Sequence, residues 1–392
     1  MLLRSLTFLP RLRVSAPQPC FTFICSVVCK SKMSGSSGQI FPRFIYLEDG
    51  GDITRCYKFR LVSYNILAQV YVKSSNFPGS PSSCLKWKIR SQAILTALKS
   101  FNADFLCIQE LDEYDSFYKS NLESTGYSGI YIQRNGQKRD GCGIFYKPNC
   151  AKLVSMEEIY YNDLANSLNL ESTDTSEREF SDKDNHSDHG DLNDPRIRLK
   201  RDCVGLLAAF KLNDPSHHLV IMANTHIYWD PELIDVKLAQ VKYLLLRVAQ
   251  FKEAVSDKYG CSPSVIIAGD FNSTPGDKVY EYMISASTIQ LHSLYGCNGG
   301  EPPFTNCTTG FTGTLDYIFI SNTNSLKPIS LLQLPGPGSP DVIGGLPNHQ
   351  HPSDHLPIGG DFEVLSYSNC STSKPLEEPL PEINKLKLDN GQ

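Results

Sequence analysis

Residues 264–272 read Ser-Val-Ile-Ile-Ala-Gly-Asp-Phe-Asn, an apolar run that stops at Gly269-Asp270-Phe271-Asn272. Val265–Ala268 show no polar alternation, which predicts a strand covered on both faces and therefore a layered α/β core. Gly269 then allows the backbone to turn. Asp270 and Asn272 follow two residues apart, on one side if strand geometry continues. A carboxylate at the mouth of a buried sheet can bind a hard cation or move a proton, and an amide beside it can donate to a phosphate oxygen. A plain Asp/Asn turn after a strand has the same sequence, so both readings stay open at this point.

The flanking pattern alternates strand and helix from Phe59 onward. Strands are predicted at Phe59–Ser63, leading to Tyr64-Asn65, at Asp104–Gln109, leading to Glu110, and at Gly143–Tyr146. Val204–Lys211 and Leu219–Asn224 form a hairpin around Asp214-Pro215-Ser216. Further strands are predicted at 264–269, Thr314–Ile320 and Ile358–Val364. A helix over Trp87–Leu98 places Ile89, Ala93, Ala97, Ile94 and Leu98 at helical spacing. A longer one, Leu233–Val255, aligns Leu238, Val241, Leu245 and Val248, and a short one falls near Lys278–Ile284.

Glu171–Asp194 is acidic and nearly free of large apolar residues, which marks a solvated insertion at about 165–195. Its His186 and His189 could bind metal, but a flexible polar loop is the reading the composition favours. The domain plan is thus an N-terminal segment 1–58, a catalytic domain 59–366 and a polar, proline-rich tail 367–392.

Net charge is −5, so there is no global basic signal for duplex binding, and a polyanionic substrate would have to be held by local cations. Thirteen cysteines, scattered and without a Cys-x-x-Cys pair, argue for reduced thiols rather than a disulfide framework or zinc site. Before Glu48 there is no acidic residue, while Arg4, Arg11, Arg13, Lys30, Lys32 and Arg43 occur among leucines and serines. That composition predicts an organellar transit peptide, mitochondrial before chloroplast. Translation from Met33 would remove most of it and leave the cytoplasm and nucleus. Cys20–Cys29 is too short to span a bilayer, and no membrane association is expected.

Several strand ends carry the same kind of side chain: Asn65, Glu110, His226, and Asp270 with Asn272. Asp316 lies within an apolar strand, and Ser353-Asp354-His355 precedes another. A carboxylate entering a strand is costly unless paired or metal-bound, so Asp316 needs a partner, for which His355 is the candidate. The shared chemistry of these positions points to one site.

This set resembles the endonuclease/exonuclease/phosphatase superfamily. Tyr64-Asn65-Ile66-Leu67-Ala68, Asn102–Leu111, Asp140–Lys147, Asn224-Thr225-His226 with Trp229-Asp230-Pro231, Phe304-Thr305-Asn306 and Leu346-Pro347-Asn348 narrow the resemblance to the carbon catabolite repressor 4 deadenylases and nocturnin, over roughly Phe59–Val364. The resemblance implies a deoxyribonuclease I-like, four-layer α/β sandwich of two mixed β-sheets flanked by helices. It implies one or two Mg²⁺ ions, held by Glu110 with Asn65, Asp270 and Asp354. Asp270, Asp316, His355 and His226 would be catalytic: Asp270 handles the water, Asp316 fixes His355, and His355 and His226 face the phosphate. Asn272 would donate to the phosphate, while Pro231 and Phe311, with Asn306 nearby, would form an adenine slot. From the residues alone, Phe311 is equally a turn aromatic and Pro231 a first-turn helix residue. Arg139, Lys147, Arg198, Lys200 and Arg201 could contact phosphates or simply be solvated.

Two departures stand out. Residues 1–58 lack the length and pattern of the leucine-rich repeat domain through which family members join deadenylase complexes, and Gly143 replaces a usual alanine. The expected activity is removal of poly(A) from mRNA by 3′–5′ hydrolysis of single-stranded RNA. The alternative is nocturnin-like removal of the 2′-phosphate of NADP(H). A silent RNA-binding or scaffold protein would not need every catalytic side chain, and a sphingomyelinase or inositol phosphatase would not need an adenine slot.

Overall fold

The structure is a computed structural model that describes residues 42–47, 57–166, 191, 193–323 and 325–365. Most of the acidic insertion and residues 366–392 lie outside the described residues, as do residues 1–41 and 48–56. The elements, in chain order, are β1 (Phe44–Tyr46), β2 (Tyr57–Asn65), α1 (Trp87–Ser100), β3 (Phe105–Gln109), α2 (Lys119–Glu123), β4 (Ser128–Gln133), β5 (Gly141–Tyr146), β6 (Ala151–Tyr160), α3 (Pro195–Arg198), β7 (Val204–Leu212), β8 (Leu219–His226), α4 (Ile234–Tyr259), β9 (Ser264–Asp270), α5 (Lys278–Ser285), β10 (Leu291–Ser293), β11 (Asn306–Cys307), β12 (Thr312–Gly313), β13 (Asp316–Ser321), β14 (Leu326–Leu332) and β15 (Ile358–Val364).

Two mixed sheets result. The first runs β1-β14-β15-β2-β3-β5-β4 and the second β10-β13-β9-β8-β7-β6. Each contains one parallel pair, β2 with β3 and β8 with β9, and each pair is joined by a helical crossover, α1 and α4 respectively. The inner faces meet in a core that includes Phe59, Phe105, Ile144, Leu206, Phe210 and Ile266. Behind the first sheet, Ile94, Leu95 and Leu98 of α1 pack on Val62, Leu106 and Ile108. Behind the second, Val241, Leu244, Leu245 and Val248 of α4 pack on Ile221, Val265 and Ile267. Each such aliphatic side chain contributes about 1.5–3 kcal/mol by leaving water. Helix, sheet, sheet and helix make the four layers that the resemblance implies.

Several expectations shift in detail. Phe44–Tyr46, placed by the sequence in the N-terminal segment, is the edge strand paired with β14. On α1 the buried face runs through Arg90, Ser91, Ile94, Leu95 and Leu98, while Ile89 is exposed. Asp316 opens β13 rather than lying inside it. Gly269 serves less as a hinge than as a gap: a Cβ there would strike the carbonyl oxygen of Thr225 on β8. All eight described cysteines are free, in line with reduced thiols. Among the described residues no helix is long and apolar enough to cross a membrane.

Candidate active site

Strand register assembles the site. In the first sheet Asn65 pairs with Gln109, which places Asn65 and Glu110 side by side at the ends of β2 and β3. In the second, His226 pairs with Asp270 and Asp270 with Asp316, so three polar residues line up across β8, β9 and β13. A buried clasp links the two sheets directly below: Gln109 Nε2 donates to Asn224 Oδ1 at 2.7 Å, and Asn224 Nδ2 to the carbonyls of Ile108 and Gly143. This buried network, in which Gln109 Oε1 alone has no partner, favours one alignment of the two edges.

Glu110 stands at φ 52°, a left-handed conformation that a non-glycine residue adopts at a cost. Its carboxylate accepts from Asn65 Nδ2 at 3.1 Å and from the Ala68 N–H at 2.9 Å. Even so, burial, then the negative charges of Asp354 and Asp140, push its pKa up to about 8. Asp354 has only long contacts, 3.4 Å each, from Asn306 Nδ2 and Ser353 Oγ. Two carboxyl groups of hard oxygens suit a divalent cation, which would offset the charge that raises the Glu110 pKa. Asn65, expected as a metal ligand, turns its amide nitrogen toward the carboxylates in this structure. Its Oδ1 accepts from the Leu67 N–H at 3.0 Å, which turns the amide nitrogen between Glu110 and Asp270 Oδ2, the latter at 2.9 Å. Asn65 is thus a donor that joins the two carboxylates.

On the other wall, His355 Nδ1 lies 2.7 Å from Asp316 Oδ2, and its Nε2 lies 3.6 Å from Asp270 Oδ2. Thr305 Oγ1 also donates to Asp316 Oδ2, at 2.6 Å. Burial alone would lower the His355 pKa, but Asp316 and Asp270 outweigh it and hold the ring protonated well above the usual histidine range. Asp270, Asp316 and His355 are close enough to grip a metal, yet the imidazolium already supplies the positive charge between the two carboxylates. Glu110 and Asp354 are the other acidic residues of the site that could hold an ion. Asp270 is nearly inaccessible, and burial raises its pKa against the pull of His355 and His226.

Asn272 departs from the strand geometry expected of it. The chain turns left-handed there, φ 45°, and the amide Nδ2 reaches His226 Nε2 at 3.0 Å and the Ile227 carbonyl at 2.9 Å. His226 Nε2 is also 3.5 Å from Asp270 Oδ2, and burial lowers its pKa. Asp270, Asn272 and His226 converge on one spot beside His355.

At the rim, Asn306 bridges to His355 through the backbone, and the Cys307 N–H donates to the Asp354 carbonyl. The β11–β12 hairpin that carries Phe311 is thereby fastened to the site. Phe311 is 41% exposed, its ring lying partly over Gly313. Pro231 is exposed in the turn that follows His226, three residues before α4 begins, so it is not a first-turn helix residue. Among the basic candidates, Lys147 is tied to Asn102 and Asp104 at the opposite end of β3, away from the site. Arg198 forms a two-bond pair with Asp235, Arg201 lies over the Tyr228 ring, and Arg139 is exposed.

Four polar residues escaped the sequence reading. Buried Asp140 accepts from Tyr71 Oη at 2.9 Å and Arg134 Nη1 at 3.3 Å, and this cluster acts on both Glu110 and His226. Arg90 donates to the carbonyls of Ile66 and Pro352, joining the loops after β2 and before His355. Asp112 accepts from the Gln69 N–H, and burial pushes its pKa up to about 6. Lys237 lies against Asn272. The one sequence signal for these was polarity at positions whose neighbours are core residues.

Comparison with known proteins follows the same outline. Residues 62–355 match the Endonuclease/Exonuclease/phosphatase family. Carbon catabolite repressor protein 4 homolog 4 of Arabidopsis thaliana is 61% identical over 324 residues, 78% of each chain. The CCR4-Not complex 3′-5′-exoribonuclease subunit Ccr4 of Mycosarcoma maydis is 30% identical over 84% of this chain, which spans only 54% of that protein's length. Among solved structures, ANGEL2, a 2′,3′-cyclic phosphatase in complex with adenosine-2′,3′-vanadate, superposes with a TM-score of 0.65 at 26% identity, covering 83% of this chain and 99% of that one. The human Nocturnin catalytic domain shares the fold, at a TM-score of 0.58 and 24% identity over 83% and 98% of the two chains. The chain belongs to the Endonuclease/Exonuclease/phosphatase family, in its carbon catabolite repressor 4 branch.

Proposed function

We propose that the protein is a Mg²⁺-dependent 3′–5′ exoribonuclease that removes poly(A) from mRNA. One arrangement carries the proposal: a cation-demanding pair, Glu110 with Asp354, faces an imidazolium, His355, across Asp270 and Asn272. A phosphodiester placed between them meets positive charge on both sides.

Bound at Glu110 and Asp354, Mg²⁺ would supply Lewis-acid polarisation of the phosphate and charge neutralisation for the leaving oxygen. Asp270, its pKa raised by burial, is a stronger base than an ordinary aspartate and takes the proton of the attacking water. Asn272, whose amide holds the His226 ring, would flank the phosphate together with His226, and His355, braced by Asp316, faces the charge that develops there. Pro231 and Phe311 would hold the terminal adenine, with Asn306 beside it. A base flat against an aromatic ring gains about 1–3 kcal/mol, whatever its sequence context.

A second reading, phosphatase action on an adenine nucleotide such as NADP(H), uses the same residues. It is favoured by the likeness to ANGEL2 bound to adenosine-2′,3′-vanadate. Purified protein with Mg²⁺ separates the two when offered oligo(A), NADPH and adenosine 2′,3′-cyclic phosphate in parallel. Shortening of the RNA alone supports the exonuclease, and phosphate release alone overturns it.

The basic, acid-free N-terminal sequence supports a mitochondrial address. Reporter fusions starting at Met1 and at Met33 test it: organellar signal from the first only is expected, and diffuse signal from both contradicts it. CCR4-Not membership is a property of the fungal relatives. Whether this chain joins such a complex is tested by co-purification of the tagged full chain.

A further inference from the structure

Lys237 sits in the first turn of α4 and is 4% exposed, as hidden as the core residues around it. None of the steps above uses it. A lysine is rarely buried without a partner, because removing its charge from water is costly. Its Nζ donates to the carbonyl oxygen of Asn272 at 2.8 Å. The carboxylates that act on it come from three segments: Asp277, which caps α5; Asp230, in the turn that carries Pro231; and Asp270, at the end of β9.

The position of that hydrogen bond is informative. Asn272 is in the left-handed conformation, which asparagine adopts more readily than other non-glycine residues but which still needs its backbone groups satisfied. Asp270 Oδ1 accepts from the Asn272 N–H at 2.9 Å, and Ile227 O and His226 Nε2 engage the side-chain amide. Lys237 takes the remaining group, the carbonyl. The peptide that follows Asn272 is therefore clamped from α4, and with it the direction in which the amide points.

We propose that Lys237 is a positioning residue for the reaction: it locks the left-handed Asn272 turn so that the Asn272 amide holds the His226 ring in place beside the phosphate. The proposal rests on the phosphoesterase reading of the site, whichever adenine-bearing ester is the substrate. A lysine that served stability alone would lower the melting temperature without altering turnover per folded molecule.

A double-mutant cycle separates the two roles. The variants are Lys237→Met, Asn272→Gly and the pair; glycine removes the amide yet adopts φ 45° without strain. kcat and KM are measured at saturating Mg²⁺ on oligo(A) and on NADPH, with folded fraction from circular dichroism. Lys237→Met should lose about 10- to 100-fold in kcat with KM changed less than about threefold. In the Asn272→Gly background the same change should cost less than about threefold, because its target has gone. Lys237→Gln, which keeps a donor for the Asn272 carbonyl, should recover most of the loss and serves as the informative variant if methionine does not fold. Losses that multiply in the double variant, or a Lys237→Gln protein that folds yet is as slow as Lys237→Met, overturn the role of Lys237. A wild-type protein inert on every substrate overturns the reading of the site itself and the inference with it.

Discussion

Glu110 makes metal binding and protonation compete. In the metal-free protein its pKa stands near 8, against 4.5 for an unperturbed glutamate, chiefly through burial and the neighbouring Asp354. At about 1.4 kcal/mol per tenfold, that difference amounts to about 5 kcal/mol. The sign follows from linkage: between 4.5 and about 8 the folded state holds a proton that the unfolded chain has lost, so metal-free stability falls as pH rises through this window. A bound Mg²⁺ replaces that proton. It should therefore release about one proton per ion at pH 6.5 and only about a quarter at pH 8.5. The melting-temperature gain on adding Mg²⁺ should grow across the same interval by roughly 5–10 °C. Calorimetric titration in buffers of different ionisation enthalpy counts the protons, and thermal melts at both pH values give the shift. Glu110→Gln should abolish both effects. A Mg²⁺ response that is independent of pH, or one retained by Glu110→Gln, would refute the assignment of the ion to Glu110.

Other perturbations reach the remaining walls of the site. Asp316→Asn removes a charge that holds His355 protonated, so the alkaline limb of the kcat profile should move to lower pH and the maximum should drop about 100-fold; an unmoved limb contradicts the pairing. Phe311→Ala should raise KM for oligo(A) by about tenfold or more and change the melting temperature little, since the ring is 41% exposed at the rim; an unchanged KM removes the ring from the slot. Gly269→Ala drives a methyl into the Thr225 carbonyl and should destabilise the fold by about 2–4 kcal/mol in urea melts. Wild-type stability in that variant would mean that β8 and β9 are not so close.

The site was legible because its residues terminate apolar runs. Ser264–Asp270 is buried along its whole length and Ile358–Val364 nearly so, and both strands read directly from the sequence. Strands half open to water did not. Ala151–Tyr160 alternates irregularly along an edge and contains a bulge, and Leu326–Leu332 contains Pro328 and another bulge. Arg90 and Lys237 fall on the apolar stripes of their helices, in line with Ile94 and Leu98 and with Val241 and Val248, where a charged residue type argues against burial; the loops that carry the catalytic groups supply the carbonyls that accept from them. The orientation of Asn65 depends on one main-chain N–H two residues on, and no residue type announces that. Asn272 shows the limit of strand logic: the ladder ends at Asp270, and the left-handed turn places the amide where a continued strand would not.

The central claim concerns an RNA 3′ end. A 5′-labelled RNA with a mixed-sequence body and a run of adenosines at its 3′ end, incubated with purified protein and Mg²⁺, reads it most directly. The account predicts a ladder that shortens one nucleotide at a time and stalls where the adenosines end, with Glu110→Gln inert. Internal cleavage, or an intact RNA beside rapid phosphate release from NADPH, would contradict it.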